Sequence, residues 1–367
     1  MPTPPPPEAD ELTIKTNGVV LGGWQEIHVV RGVERLPSAF YIRATEAFPG
    51  QTQRVSIVPG AKVEVNLSGD LVLTGYLDQY LPSADPENHY TLLKGRSLCE
   101  DLVDSSLYGP DVGGWTLQAS TMKQAAEKIA KPFKIEVSMP DGDFPIPAPN
   151  VFPINPGVSA AQLLEEIART AGALVWDDEK GRLVISAVGK TRAATALIEG
   201  QNLEFMSGAL TMDQRFSDYY VLGQSYDLGT GAINQFAHAT DPNVVALGRH
   251  RTKIIPWEAP DQDGAYSQKR AQWEASRRMG RGNMVICRVT GWRQGDGKLW
   301  TPNLLTHITS PTTKINADMV IAEVAWQRDE RNGTSTQLTC MPAAGLAPQP
   351  LIIQPAVVGA GEAPPHG

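Results

Sequence analysis

Side chains that could do chemistry are scattered through the 367 residues. Glu165 and Glu166 are adjacent carboxylates. On a helix, neighbours point about 100° apart, so a solvated face suits them better than paired acid/base work. Asp101 and Asp104, three apart in Cys99-Glu-Asp-Leu-Val-Asp104, can share a helical face and hold a cation. A cap or turn role fits aspartate better. The six histidines show no metal-ligand spacing, and Cys99, Cys287 and Cys340 form no C-x-x-C. Neither a zinc site nor a redox pair is signalled, and a sparse, odd cysteine count fits a reducing compartment. Gly229-Thr-Gly231 lacks the third glycine of a dinucleotide loop and reads as a turn. The G-x-S-x-G elbow, the H-E-x-x-H helix and the Walker A loop are all missing. The expectation is a non-enzyme with no catalytic, metal or cofactor-binding residue.

Two clusters could bind rather than react. Lys269, Arg270, Arg277, Arg278 and Arg281 crowd a helix predicted from Asp263 to Met279 and its end. They read either as a phosphate-facing patch or as a charged outer face whose late arginines complement the helix C-terminus. With 32 basic against 40 acidic residues, a net charge of −8 and no interleaved stacking aromatics, the outer face is favoured. Tyr266 and Trp273, seven apart, share a face that anchors this helix to the body. Trp292, Trp300 and Trp326 could form a sugar platform, but core packing is the favoured reading.

The elements that must position these residues are mostly strands. Gly 34 plus Pro 29 is too much punctuation for an all-α fold. The length suggests about two or three domains. No run of about 18 apolar residues predicts a spanning helix, and the opening MPTPPPPEAD does not read as a signal peptide. Residues 1–10 read as a mobile Pro-rich extension. Val63, Val65 and Leu67 alternate with polar neighbours, as do Phe40, Ile42 and Ala44, and Tyr90–Leu93 adds another strand. Ser68-Gly69-Asp70 supplies a tight turn, and the sequons at Asn66 and Asn332 read as hairpin chemistry.

Two helices follow. Thr121 and Gln124 form a capping-box pattern ahead of Met122, Ala125, Ala126, Ile129 and Ala130, and Pro132 ends that helix. Ser159 and Gln162 open a second helix with a Leu163, Leu164, Ile167, Ala168, Ala171 stripe, closed by Gly172 at C′. A hairpin turning at Asp177–Gly181 comes next. Further strands are expected at Tyr219–Gly223 and Met284–Thr290. A last hairpin pairs Val320–Trp326 with Ser335–Cys340 through Asn332-Gly333.

The fold class expected is β-rich α+β and multidomain. It has two small antiparallel β-barrel, tube-like domains and an inserted α/β domain. Residues 11–113 form the first barrel. Residues 114–205 form the α/β domain, joined by an insertion around 226–282. Residues 206–225 plus 283–342 form the second barrel, and 343–367 a mobile Pro/Gly/Ala-rich tail in which Leu351-Ile-Ile could dock on a partner. Two β units around an α/β unit hint at an internal duplication.

Four segments together resemble the baseplate hub family of Mu-type contractile phage tails, relatives of the N-terminal hub portion of VgrG spikes. They are GWQEIHVVRGVERLPSAF over 23–40; Pro59-Gly60 through Thr74–Asp78 to Lys94-Gly-Arg-Ser97 and Asp101–Asp104; Ser159–Gly172 with Asp177–Leu183; and Gly291-Trp292, Asp296–Trp300 and Pro302-Asn303. The chain departs from VgrG in having no β-helical needle, so a spike is a separate chain. The resemblance implies a virion protein of the tail baseplate, assembled in the bacterial host cytoplasm. It would form a homotrimeric ring adapting a hexameric tail tube to a trimeric central spike, beside other baseplate proteins. DNA would pass through it transiently without sequence-specific binding, and the chain would not insert into a membrane. The motif residues Gly95, Arg96, Asp101, Asp104, Gly172, Trp292, Trp300, Pro302 and Asn303 are then structural. Gly95 would permit a close turn, and Arg96 would pair with Asp101 or Asp104. The alternatives are a tail-associated cell-wall or polysaccharide hydrolase and a non-catalytic carbohydrate-binding tail module.

Overall fold

A computed structural model describes residues 11–45, 57–84, 89–148, 150–224, 233–256, 265–330 and 333–348. The N-terminal extension, the Gly229 turn, Asn332 and Leu351–Ile353 lie outside the described residues.

The first part is seven strands: β1 (Leu12–Thr16), β2 (Val19–Leu21), β3 (Glu26–Gly32), β4 (Ala39–Thr45), β5 (Lys62–Leu67), β6 (Asp70–Ala84) and β7 (His89–Ser97). Period-2 patterning works as expected: Val63, Val65 and Leu67 are buried, with Phe40, Ile42 and Ala44 in the same core. Ser68 and Gly69 take positive φ, 47° and 88°, the twist a two-residue hairpin turn requires between β5 and β6.

The middle part contains α1 (Glu100–Asp104), β8 (Thr116–Gln118), α2 (Met122–Ala130), β9 (Val137–Ser138), β10 (Val151–Pro153), α3 (Ala160–Ala171), β11 (Leu174–Asp177) and β12 (Leu183–Ser186). Thr121 caps α2, and Ser159 with Gln162 forms a complete capping box on α3. Gly172 closes α3 in the left-handed region at φ 71°. The apolar stripes of α2 and α3 meet in a core of their own with Leu117, Phe152 and Ile185.

The last part holds β13 (Leu197–Ile198), β14 (Phe205–Leu210), β15 (Asp218–Gln224), β16 (Ile233–Thr240), α4 (Pro242–Ala246), β17 (Thr252–Pro256), α5 (Ala265–Arg281), β18 (Asn283–Thr290), β19 (Leu305–Ser310), β20 (Ile315–Asp329) and β21 (Gly333–Met341). Three findings here differ from the sequence reading. The two β units share one sheet, in the order β14-β18-β21-β20-β3-β4-β7-β6-β5-β1-β2. Its seam is β3 against β20, antiparallel from Glu323↔Gly32 to Arg328↔Ile27. One apolar core spans both sides, from Leu12 and Phe40 to Trp326 and Cys340. Pairing two edges satisfies a row of backbone groups that would otherwise face water.

Second, Tyr219–Gly223 does not join that sheet. Residues of β15 pair with β16 and β17 in a separate three-stranded sheet. Helix α5 covers it, burying Ala271 and Ala275 against Tyr219, Val221 and Ile255. The stretch expected to extend the α/β unit thus makes a small layer with its own core. Third, the C-terminal segment does not leave the body at 343. Residues Ala343–Gly345 form a 3-10 turn against α5, and Leu346 is fully buried. The Trp273 indole and Arg277 guanidinium both donate to the Ala347 carbonyl at 2.8 Å. Composition suggested mobility because alanine and glycine carry no apolar pattern; a close approach between Gly280 and Gly345 supplies the docking instead.

Candidate functional site

The chemistry-bearing side chains gather at the joints between units. The first joint is the turn after β11. Desolvation raises the pKa of the fully buried Asp177 carboxyl, an effect opposed by hydrogen bonds. It accepts from the Ser38 amide at 2.8 Å, from the Ser38 hydroxyl and from the Ser97 hydroxyl. Around it, the Thr74 hydroxyl donates to the Glu179 carbonyl at 3.0 Å, and Arg31 contacts the Glu179 carboxylate at 3.3 Å. The hairpin of the α/β unit is thereby plugged into β3, β6, β7 and the residue that leads into β4.

Asn303 makes the second joint. It sits at φ 66°, in the left-handed region where asparagine is tolerated. Its Oδ1 accepts from the Gly189 amide at 2.7 Å, and its Nδ2 donates to the Ala187 carbonyl at 3.0 Å. A side chain on Gly189 would sit 1.7 Å from the Asn303 carbonyl oxygen, so this contact needs glycine. Pro302 beside it is buried.

Arg96 centres the third cluster. Its Nε donates to Asp78 at 2.7 Å and its Nη2 to Asp104 at 2.7 Å, with Glu100 3.3 Å away. Asp101 makes no hydrogen bond with Arg96, because on a helix of five residues Asp104 and Glu100 take the side facing β7. The partners Asp78 and Glu100 were missed in the sequence, since Asp78 lies across a strand pair. The Arg96 guanidinium holds Asp104 below its usual range. Burial and Asp78 push Glu100 up to about 8.

Gly95 is no turn. It lies inside β7, where a Cβ would meet the Tyr76 carbonyl at 2.1 Å and the Phe40 ring at 2.5 Å. The glycine lets the Phe40 ring close on the β7 backbone. Trp292, Trp300 and Trp326 are all buried in the shared core, which removes them as a sugar platform. The Trp300 amide donates to the Trp292 carbonyl at 3.1 Å.

The basic helix is largely neutralised. Arg270 and Arg278 flank Glu274 at 2.9 and 2.7 Å, while Arg277 and Arg281 converge on Glu34 at 3.0 and 2.5 Å. Lys269 is exposed, and the Tyr266 side chain is outside the described residues. The two pairs to Glu34 fix α5 to the first β unit, a role the outer-face reading did not foresee, while the two to Glu274 lie within α5. Glu165 is exposed and Glu166 half-buried on α3. Cys99, Cys287 and Cys340 are free and buried, and burial pushes the Cys287 thiol up to about 12. Among the described residues no group of three His, Cys, Asp or Glu side chains is arranged to hold a metal ion.

Apolar side chains are left open at both ends of the shared sheet. Val19 and Val20 on β2 are 54% and 58% exposed, and Phe205 and Leu210 on β14 are 48% and 55% exposed. Both strands are edges of the sheet path.

Known proteins match on this same plan. Residues 11–97 match the family model for the N-terminal domain of Mu phage baseplate assembly protein GpP-like proteins. Residues 99–187 match the second domain of baseplate hub protein gp44-like proteins, and 263–349 the fourth domain of Mu phage baseplate assembly protein GpP. The baseplate hub protein gp44 of Escherichia phage Mu is 25% identical over 352 residues, covering 92% of this chain and 89% of that protein. The 43 kDa tail protein of prophage MuSo2 from Shewanella oneidensis has a TM-score of 0.80 at 28% identity, over 94% of this chain and 100% of that one. In fold alone, the E. coli c3393 protein, a component of the type VI secretion system, has a TM-score of 0.52 at 8% identity, over 90% of this chain and 76% of that one.

Proposed function

Because this chain belongs to the Mu-type baseplate hub family of phage tail proteins, we propose that it works as a trimeric ring adapting a hexameric tail tube to a trimeric spike. The role is structural. The two β halves, β1–β7 and β14 with β18–β21, are the tube-like barrel domains. Three chains would then present six similar units to a sixfold tube and three equivalent faces to a spike. The α/β part, from α1 to β12, and the layer of β15–β17 under α5 lie outside the ring wall. The observation that carries this reading is the single sheet that joins both halves through β3 and β20 and ends in two apolar edges, β2 and β14. An exposed apolar edge is a template for pairing with another chain.

The motif residues have structural roles in this reading. Gly95 and Trp292, Trp300 and Pro302 shape the two halves. Gly172, Asn303 and the Arg96–Asp104 pair hold the α/β part in register against them; Asp101 adds charge at that corner. The ring passes DNA without gripping it. Three copies carry three times the −8 of one chain, and an acidic lumen repels phosphate where a basic one would retain it.

Light scattering with negative-stain imaging of the same peak tests the assembly. A mass three times the 39.7 kDa of one chain, with a threefold ring and central hole, is the expected result. A monomer that persists after a candidate spike protein is added would overturn it.

A further inference from the structure

The two β units repeat one plan. Across the sheet the first runs β5-β6-β7-β4-β3 and the second β19-β20-β21-β18-β14. Strands β5, β6 and β7 are 6, 15 and 9 residues long, and β19, β20 and β21 are again 6, 15 and 9. Each long strand is bulged at the matching step, between Leu77 and Gln79 and between Ile321 and Glu323. Before the bulge, the Leu77 amide donates to the Ala61 carbonyl, and the Leu77 carbonyl accepts from the Gly60 amide. Ile321 makes the same two bonds with Leu304 and Asn303. Gly60 and Asn303 each follow a proline and each sit at positive φ, 87° and 66°. The β15–α5 layer is then an insertion into the hairpin that corresponds to β3–β4.

The repeat leaves two edges without the partner their counterparts have. Within the chain, β3 pairs with the second half of β20, Glu323–Arg328. The counterpart of β3 is β14, which pairs only with β18. The counterpart of that half of β20 is β6 beyond Leu77, where among the described residues only β7 pairs with it. These two edges end a run of eight strands and do not meet within one chain. At about 4.8 Å per strand they stand roughly 34 Å apart along the sheet. Both carry apolar surface: Leu210 on β14 is 55% exposed and Leu81 on β6 is 42% exposed. The register of the seam carries over through the repeat. Trp326↔Val29 becomes Pro82↔Gly208, and Val324↔Arg31 becomes Tyr80↔Leu210. Pro82 has no N–H, which costs at most one ladder bond.

We propose that β14 of one copy pairs antiparallel with the second half of β6 of the next copy, in the register Tyr80↔Leu210 and Pro82↔Gly208, so that the contact between chains repeats the seam within each chain. The inference rests on the trimeric ring above and names the strands that close it. Joining two different surfaces makes a head-to-tail contact, which closes once every copy has used both edges. Each β unit then meets its neighbour in the same way, whether that neighbour lies in its own chain or the next.

The test is a full chain carrying Ser83→Cys and Ser207→Cys, which the register places directly opposite each other between copies. Opposed residues of an antiparallel pair bring their Cβ atoms within about 4.5–5.5 Å, close to disulfide range. The three native cysteines are buried. Mild oxidation, with a candidate spike protein present, should give covalent trimers. Mass spectrometry of mixed isotopic copies should find the 83–207 link only between chains. Ser83→Cys with Phe205→Cys, two residues out of register, should link at least tenfold less. A trimer by light scattering that forms no 83–207 link would overturn this pairing and leave the ring standing. A persistent monomer would overturn both. Leu210→Lys should raise the concentration needed for half-assembly at least tenfold, whereas Val19→Lys on β2 should not. An unchanged midpoint for Leu210→Lys would also overturn the pairing.

Discussion

Ser38 and Asp177, 139 positions apart, are joined twice: the Ser38 amide and its hydroxyl each donate to one oxygen of the Asp177 carboxylate. The Ser97 hydroxyl supplies a third donor. One buried carboxylate thus holds the α/β hairpin on the residue that leads into β4 and on the end of β7.

Asp177→Ala leaves those three donors buried without an acceptor, and should cost about 3 kcal/mol in urea unfolding. Ser97→Ala removes a single donor and should cost about 1 kcal/mol. If the two variants unfold at the same urea concentration as the parent, the carboxylate does not hold the joint.

Gly95→Ala drives a methyl into the Tyr76 carbonyl and the Phe40 ring. Backbone of two paired strands has little room to move, so a loss of about 1–3 kcal/mol is expected from overpacking. A variant as stable as the parent would mean that β6 and β7 separate there at no cost.

Glu100 gives a pH signature. Its carboxyl keeps its proton to about pH 8 in the folded chain, against an ordinary 4.5. The folded state therefore binds this proton more tightly. The associated stability is whole below about pH 4.5 and lost as pH rises through 8. Glu100→Gln cannot ionise, so its melting temperature should gain on the parent between pH 5 and pH 9. Parallel curves would place Glu100 in water.

Asn303→Gly keeps the left-handed backbone and removes the side-chain bonds to Gly189, Ala187 and Ser186. The expected cost is about 1–2 kcal/mol, with faster amide exchange at Gly189. Unchanged exchange there would show that the asparagine does not tether the segment.

Trp300→Ala empties a fully buried indole site and should cost about 3–5 kcal/mol. Trp115 is 48% exposed, so Trp115→Ala should leave the stability of the isolated chain within about 0.5 kcal/mol. Equal losses at the two positions would contradict the burial difference between them.

Local patterns were legible in the sequence because they rest on neighbours within a few residues. The Ser159–Gln162 box, the Gly172 cap, the Ser68-Gly69 turn and the alternation of Val63, Val65 and Leu67 all follow from rules that act over one turn or one pleat. The family resemblance was legible too, since it rests on the order of such segments. Pairings between distant residues were not. Nothing near Asp177 names Ser38, nothing near Arg96 names Asp78, and the DDEKG turn reads alike whether it faces water or a sheet. The β3–β20 seam was equally silent, because a strand's side-chain pattern states which face is buried and not which edge it joins. Only the tertiary structure decided that both β units share one sheet, that Tyr219 belongs to a separate layer under α5, and that Ala347 is held in place. Each of those choices is set by backbone hydrogen bonds and close approaches between residues far apart in the chain.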